Sequence, residues 1–382
     1  MKNYINGAIR EAIGKGRALM AKIPGARELG RHFTSVASIA TREVEQLIEE
    51  LDFLYNDPDY NDEQNIKEKF SKFKHLSGRL SEIENVVIAA MSRKSDDDEF
   101  VNELVYDICT EINYPLPHPV ASCLSRKYYH IYPEYNLICI PLLESQFMLH
   151  IPDIYHELGH PLLSGSGTNP KVEAFQRNLG AFNVEVKKYF DEHIKYKQLN
   201  TSADSDLDQI YVWKESWLEN WSIELFCDLF ATFTLGPAYL WSNIHMCAKM
   251  SWEVYKLPTF QKTLHPPDDA RMKAMFYGLD ALGLTEQTKE IEVKWEEFKQ
   301  ITGHKKTPEY AIALPDKLLK LAAEYCYVGT KEIKCELTSA GSEKKVNQLL
   351  NNAWKQFWND PENFHEFEKK VLTEFSQELR KS

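Results

Sequence analysis

Apolar residues recur at helical spacing over most of the chain. Ile5, Ile9 and Ile13 make a narrow stripe that Gly14 and Gly16 interrupt, predicting a short helix docked on the body. Val44, Leu47, Ile48, Leu51 and Leu54 mark a helix over about 35–55, and the helical period returns over 61–91. Between them, Asp57-Pro58-Asp59-Tyr60-Asn61-Asp62-Glu63 reads as a solvated hairpin turn. Its acids mimic a calcium loop, but Asp62 stands where that loop needs glycine. Ser95 is placed to cap the next helix, with Asp96, Asp97 and Asp98 in the first turn. Tyr114-Pro115-Leu116-Pro117-His118-Pro119 then breaks helicity and marks a boundary.

Beyond it the period changes. Segments near 120–143, especially 128–132 and 135–142, read as strands, and the apolar run 137–143 as a buried one. A helix is expected over 144–163, closed by Ser164-Gly165-Ser166-Gly167, and another over 169–196. The polar stretch 200–208, with Asp204, Asp206 and Asp208, reads most simply as a mobile acidic loop and equally as a lid over the cleft. Gly236-Pro237 supplies a stop after a strongly apolar helix, and a further helix is expected over 238–256. His245 on it reads as a core or surface residue. From Thr285 onward the chain is helical and charged, and Trp354, Phe357 and Trp358 read as packing residues.

Composition narrows the class. A length of 382 residues allows a substantial core and two or three structural units. The formal net charge of −12 argues against nonspecific nucleic-acid binding, which needs a basic surface. Residues 1–34 are the basic exception, and a docked helix explains them more simply than a targeting segment does. Seven scattered cysteines, never spaced C-x-x-C, suit a reducing cytoplasm. No apolar run approaches the ~18 residues that span a bilayer, and no apolar h-region follows the N-terminus. Neither an integral membrane segment nor a secretory signal is therefore expected.

Candidate chemistry concentrates at Tyr155-His156-Glu157-Leu158-Gly159-His160, an H-E-x-x-H sequence. Two histidines four residues apart lie one helical turn apart on one face, so both imidazoles can reach one cation. Zinc suits such donors, and the intervening Glu157 can take a proton from a water that the metal has made acidic. A third ligand is expected from the apolar segment 217–231. There Glu224 and Asp228 share a helical face, although buried acids are costly unless paired or metal-bound. Glu224 would complete the ligand set, and Asp228 would accept the outer N–H of a ligating histidine and fix its tautomer. Cys227, between them, falls on another face and reads as core. Farther on, His265-Pro266-Pro267-Asp268-Asp269-Ala270-Arg271 reads as a turn entering a helix.

Taken in order, H-E-L-G-H, E-x-x-x-D some sixty residues later, and H-P-P followed by arginine resemble the gluzincin metallopeptidases. The resemblance covers about residues 130–280 and is closest to the group of the CAAX prenyl protease and HtpX. It implies zinc held by His156, His160 and Glu224, with Glu157 as general base and Asp228 orienting a ligand histidine. It further implies His265 near the reacting carbonyl and Arg271 as a brace. A small sheet would flank the motif helix and pair its edge strand with an extended peptide. Two departures stand out. Pro161 directly follows the second histidine, so the helix should end or bend within a turn of it. The membrane-spanning segments of that group are missing.

The expected fold is thus mainly α with a small β-sheet (α+β): a zincin-like catalytic core with helical N- and C-terminal parts. The expected divisions are 1–115, 116–284 and 285–382. The expected activity is zinc-dependent hydrolysis of a peptide or protein substrate. The alternatives are a non-catalytic zincin-fold sensor or interaction protein, and a zinc hydrolase acting on a non-peptide substrate.

Overall fold

In α1 (Lys2–Met20) the stripe Ile5, Ile9 and Ile13 is buried, and the helix runs on through both glycines. Gly16 has to be bare, because a Cβ there would stand 2.7 Å from Ile48 Cγ1 of α2 (Ala26–Asn56). The expected hairpin turn is two short 3₁₀ turns leading to α3 (Ile66–Glu82), with Lys69 Nζ donating to Asn6 Oδ1 and Asn61 Oδ1. A π-helical stretch, Ile83–Ile88, continues α3 into α4 (Ala89–Ser92). Ser95 caps α5 (Asp96–Glu111) as expected: Asp98 N donates to Ser95 Oγ, and Asp98 Oδ2 accepts from Ser95 N at 2.7 Å.

The computed structural model describes all residues except 94, 126–127, 145–146, 165–168, 201–203, 251–252 and 380–382. The chain divides into two compact units, Met1–Glu103 with Pro119–Ser145, and Leu104–His118 with Gln146–Ser382. The first unit holds the sheet, built from β1 (Val120–Ser125), β2 (His130–Tyr132) and β3 (Leu137–Pro141). The order is β1-β3-β2, with β3 parallel to β1 and antiparallel to β2. One edge is already occupied by side chains. Asn102 exchanges two 2.8 Å hydrogen bonds with the Ala121 backbone, and Cys123 N donates to Asp98 Oδ1. Both backbone groups of Ala121 and the N–H of Cys123 are thus taken within the fold; the sheet's other edge strand is β2.

The second unit carries the motif. In place of one helix over 144–163 there are two short ones, α6 (Asp153–Glu157) and α7 (Gly159–Leu163), separated at Leu158. The prolines explain both differences. Helix starts only after Pro152, and the break puts Pro161 in the first turn of α7, where its missing N–H leaves no hydrogen bond unmade. The expected Gly165-Ser166-Gly167 stop lies outside the described residues. After α8 (Glu173–Asn200), residues 201–203 also lie outside them, but α9 (Asp204–Ser216) begins at Asp204. The acidic stretch from there to Asp208 is therefore the start of a helix and not a loop.

A π-helical turn, Trp217–Trp221, joins α9 to α10 (Ser222–Leu235), which is buried along almost its whole length. Gly236, at φ +88°, ends it, and Pro237 opens α11 (Pro237–Met250), whose end lies six residues before the expected one. The remaining helices are α12 (Asp268–Ala281), α13 (Thr285–Thr302), α14 (Pro308–Ala313), α15 (Asp316–Glu332), α16 (Lys345–Asn359) and α17 (Phe364–Leu379). α10 packs against α6, α7, α12 and α15, so acids on it face several helices and not water. His245 packs edge-on against the buried Trp354. The class is α+β, mainly helical with one three-stranded sheet. Among the described residues no helix is long and apolar enough to cross a membrane.

Candidate metal centre

Leu158, between α6 and α7, keeps right-handed helical backbone at φ −65° and ψ −19°, and the His156 and His160 ring centroids lie 5.0 Å apart, edge-to-face. Donor atoms of His156, Glu157 and His160 all lie within 4.8 Å of one another. Tyr114 Oη donates to the Leu158 carbonyl at the bend. Gly159 sets how close this segment comes to α10: a Cβ there would stand 2.8 Å from Cys227 Cα. That close approach brings the two imidazoles to Glu224 and Asp228, which flank Cys227 on α10. Cys227 itself is fully buried, and burial together with the surrounding acids pushes its thiol pKa up, as fits a core residue.

Glu224 reaches both histidines. Its Oε2 lies 3.4 Å from His156 Nε2, and its Oε1 lies 3.9 Å from His160 Nε2. One turn along α10, Asp228 Oδ1 lies 2.9 Å from His156 Nδ1 and accepts from Tyr239 Oη at 2.6 Å. Arg271, entering from α12, clamps Asp228 with two 2.7 Å bonds, Nε to Oδ2 and Nη2 to Oδ1. The two nitrogens of His156 are thus engaged in opposite directions. With Nδ1–H given to Asp228, the Nε2 lone pair is left for the side where Glu224 and His160 sit.

The electrostatics favour a cation there. Burial works against ionised Glu224, but hydrogen bonds from His156 and His265 and the charges of His156 and His160 hold its carboxyl well below the usual range. Burial likewise opposes ionised Asp228, and the Arg271 guanidinium outweighs it. For His156, burial alone would lower the pKa, yet bonds to Asp228 and Glu224 raise it to about 10. The two carboxylates face one permanent cation, Arg271, so the pocket stabilises a further positive charge at the imidazoles.

The donors fit zinc in kind and spacing. Donors about 2.0–2.1 Å from a tetrahedral ion stand about 3.4 Å apart. The 3.4 Å from Glu224 Oε2 to His156 Nε2 is of that size, and the 3.9 Å from Oε1 to His160 Nε2 is half an ångström wider. Two imidazoles and a carboxylate form a nitrogen–oxygen set that zinc accepts, and the outer nitrogen of one ligand is already held by a carboxylate.

The expected ligands, base and braces meet here, and His265 joins them: its Nδ1 lies 3.0 Å from Glu224 Oε2, while its side chain is 60% exposed. Arg271 braces the site through Asp228. Sequence reading missed Tyr239, whose hydroxyl stands 3.0 Å from His156 Nδ1 as well as on Asp228. A tyrosine three residues past a Gly-Pro stop carries no spacing signal that would mark it. No protein-family model, curated protein or solved structure matches this chain.

Proposed function

We propose that this chain is a zinc metallopeptidase with a zincin-like core of the gluzincin type, acting on peptide or protein segments. One observation carries the reading. Two successive acids on α10 divide the work around His156, with Glu224 on the Nε2 side and Asp228 on the Nδ1 side. A helix that merely needed to bury its acids would have no reason to put the first on two imidazoles at once.

Zinc bound there would make a water acidic near neutral pH and polarise a carbonyl oxygen. His156, His160 and Glu224 would hold the ion, and Asp228, Tyr239 and Arg271 fix the orientation of His156. Glu157 accepts the water proton on its carboxylate and passes it to the leaving amine. His265, anchored to Glu224 and exposed at its other edge, donates to the carbonyl oxygen as that oxygen gains charge. All seven cysteines are free and buried, which suits action in a reducing cytoplasm.

Metal analysis and cleavage of an unstructured protein, with and without chelator, test this on two variants. Glu157→Gln should keep stoichiometric zinc and lose activity by about 10²–10⁴-fold, whereas Glu224→Ala should lose both. A second reading draws on the tight grouping of His156, Glu157 and His160. In a non-catalytic scaffold Glu157 would itself be a ligand. Loss of zinc in Glu157→Gln, with no cleavage by the wild type, would establish that reading in place of the peptidase.

A further inference from the structure

A cavity in the second unit shares no residue with the metal centre. It is a bowl of about 810 Å³, within the ~300–1,000 Å³ of small-molecule sites. Its walls are the first turns of α11 and α13, the link between α15 and α16, and one face of α16. Hydrogen bonds fix those walls. Asn347 Nδ2 donates to the Leu235 carbonyl at 2.9 Å and to Thr338 Oγ1 at 3.0 Å. Asn351 Oδ1 accepts from Ala238 N at 3.0 Å, and its Nδ2 donates to the Leu235 carbonyl at 3.1 Å. These two amides, one turn apart on α16, tie the end of α10 to the start of α11. The link is held as well: Thr338 N donates to the Phe233 carbonyl, and Gln348 Nε2 to the Ser342 carbonyl, both at 2.8 Å. A site fixed in this way loses little freedom on binding.

The lining is narrow in its chemistry. Its neutral polar side chains are carboxamides and hydroxyls, with Gln287, Asn352, Asn359, Ser339 and Ser342 beside those already named. Glu290 and Glu343 against Lys355, two acids and one base, leave a net charge of −1. Phosphates and nucleotides, which are held by clustered cations, do not suit it. Ser342 Oγ is shielded from water and has no hydrogen-bond partner among the described residues, which is unfavourable for a hydroxyl until a ligand supplies one.

An aromatic ring completes the bowl. Trp354 of α16 is buried, but Trp358, one turn on and lining the cavity, is 41% exposed. Trp241, at 4.9 Å between ring centroids, and Lys294 Nζ, 5.7 Å from the centroid, keep its indole in place. An exposed indole among carboxamides and hydroxyls matches a pyranose ring. The C–H bonds on one face of a sugar carry slight positive charge and meet the negative face of the indole. Sugar hydroxyls both donate and accept, as do the groups around them here. A purely apolar ligand would leave those groups unpaired.

We infer that this bowl binds a neutral saccharide, stacked on Trp358 and hydrogen-bonded by the carboxamides and hydroxyls of α13, α16 and residues 338–343. The inference does not depend on the peptidase reading, because no residue of the metal centre takes part.

The test titrates the full chain with neutral trisaccharides of glucose, mannose, galactose and N-acetylglucosamine, followed by calorimetry and tryptophan fluorescence. A phosphorylated glucose and a glycine–serine peptide are the controls. At least one trisaccharide should bind with a Kd below about 1 mM, more tightly than either control, and should change the indole emission. Trp358→Ala should weaken binding about tenfold and remove the emission change, and Trp358→Phe, which keeps a ring, should lose less. Ser342→Ala should weaken binding about fivefold. Circular dichroism and zinc content should be unchanged in all three variants; if Trp358→Ala does not fold, Ser342→Ala decides the matter alone. No binding of any trisaccharide, or tighter binding of either control, overturns the inference. Trisaccharide binding undiminished in both alanine variants also overturns it, because the sugar then sits elsewhere.

Discussion

Two carboxylates of the second unit are equally hidden from water, and they do different work. Asp228 on α10 and Asp269 on α12 are both 0% exposed, and counter-charges hold both below the usual pKa range although burial pushes the other way. Asp269 is met by Lys306 at 2.7 Å, Lys299 at 3.1 Å, and Trp295 and Tyr310 at 3.3 Å. Those partners lie on α13, on α14 and in the link between them, so Asp269 clasps three helices and its influence ends there. Asp228 also takes a cation and a phenol, but its third partner is an imidazole whose other nitrogen points onward to a second carboxylate. A perturbed, buried acid is therefore not in itself a sign of a site. The sign is a partner that still has a donor atom to spend.

The largest effects should separate the two by what is lost. Alanine at either position strands a buried cation, which costs on the order of 3–5 kcal/mol when a buried pair is broken. Asp269→Ala should fall toward the low end, because the Lys306 side chain is 36% exposed and can recover water. Denaturant unfolding measures both. The isosteric change Asp228→Asn should also weaken zinc binding by roughly 10–100-fold, whereas Asp269→Asn should leave it unchanged in a competitive chelator titration. Equal zinc affinity in the two Asn variants would erase the distinction drawn between the two acids.

A smaller effect probes the approach that gives Asp228 and Glu224 their histidines. Gly159→Ala places a methyl 2.8 Å from Cys227 Cα, a backbone atom that cannot swing aside. Overpacking of this kind costs about 1–3 kcal/mol. Because the strain pushes α7 away from α10, zinc affinity should fall together with the unfolding free energy. A loss of stability with unaltered zinc affinity would show that the histidines do not depend on this contact.

The sequence was most legible where a short-range rule operates. H-E-x-x-H and E-x-x-x-D each place two side chains one helical turn apart, and the folded chain brings both pairs together with His265 and Arg271. The Ile5, Ile9 and Ile13 stripe and the Ser95 cap were readable for the same reason. Features set by contacts distant in sequence were not. Tyr239 is defined only by meeting Asp228 and His156, and Asn102 fills the β1 edge from a helix before the strand. Helical periodicity runs on through Pro152 and so predicts a longer motif helix than the chain forms, and the acids of 204–208 predict a loop where α9 in fact opens. Asp269 stands in the first turn of α12, but the lysines that pair with it lie thirty or more residues away in sequence.

The smallest expected effect compares the clasp with its own uncharged form as a function of pH. The folded Asp269 pKa lies below that of the unfolded chain, which is about 3.9. The stability it contributes is therefore fully present above about pH 4 and is lost as pH falls through the lower, folded value. Asp269→Asn lacks that titration: it should be less stable than the wild type near neutral pH, and the gap should close as the solution is acidified below pH 4. Stability curves from urea unfolding at several pH values give the gap directly. A gap that stays constant into strong acid would mean that the lysines hold Asp269 by hydrogen bonds that its neutral form keeps as well. The difference from Asp228, whose guanidinium fork demands an ionised partner, would then lie in the chemistry of each pair and not only in its address.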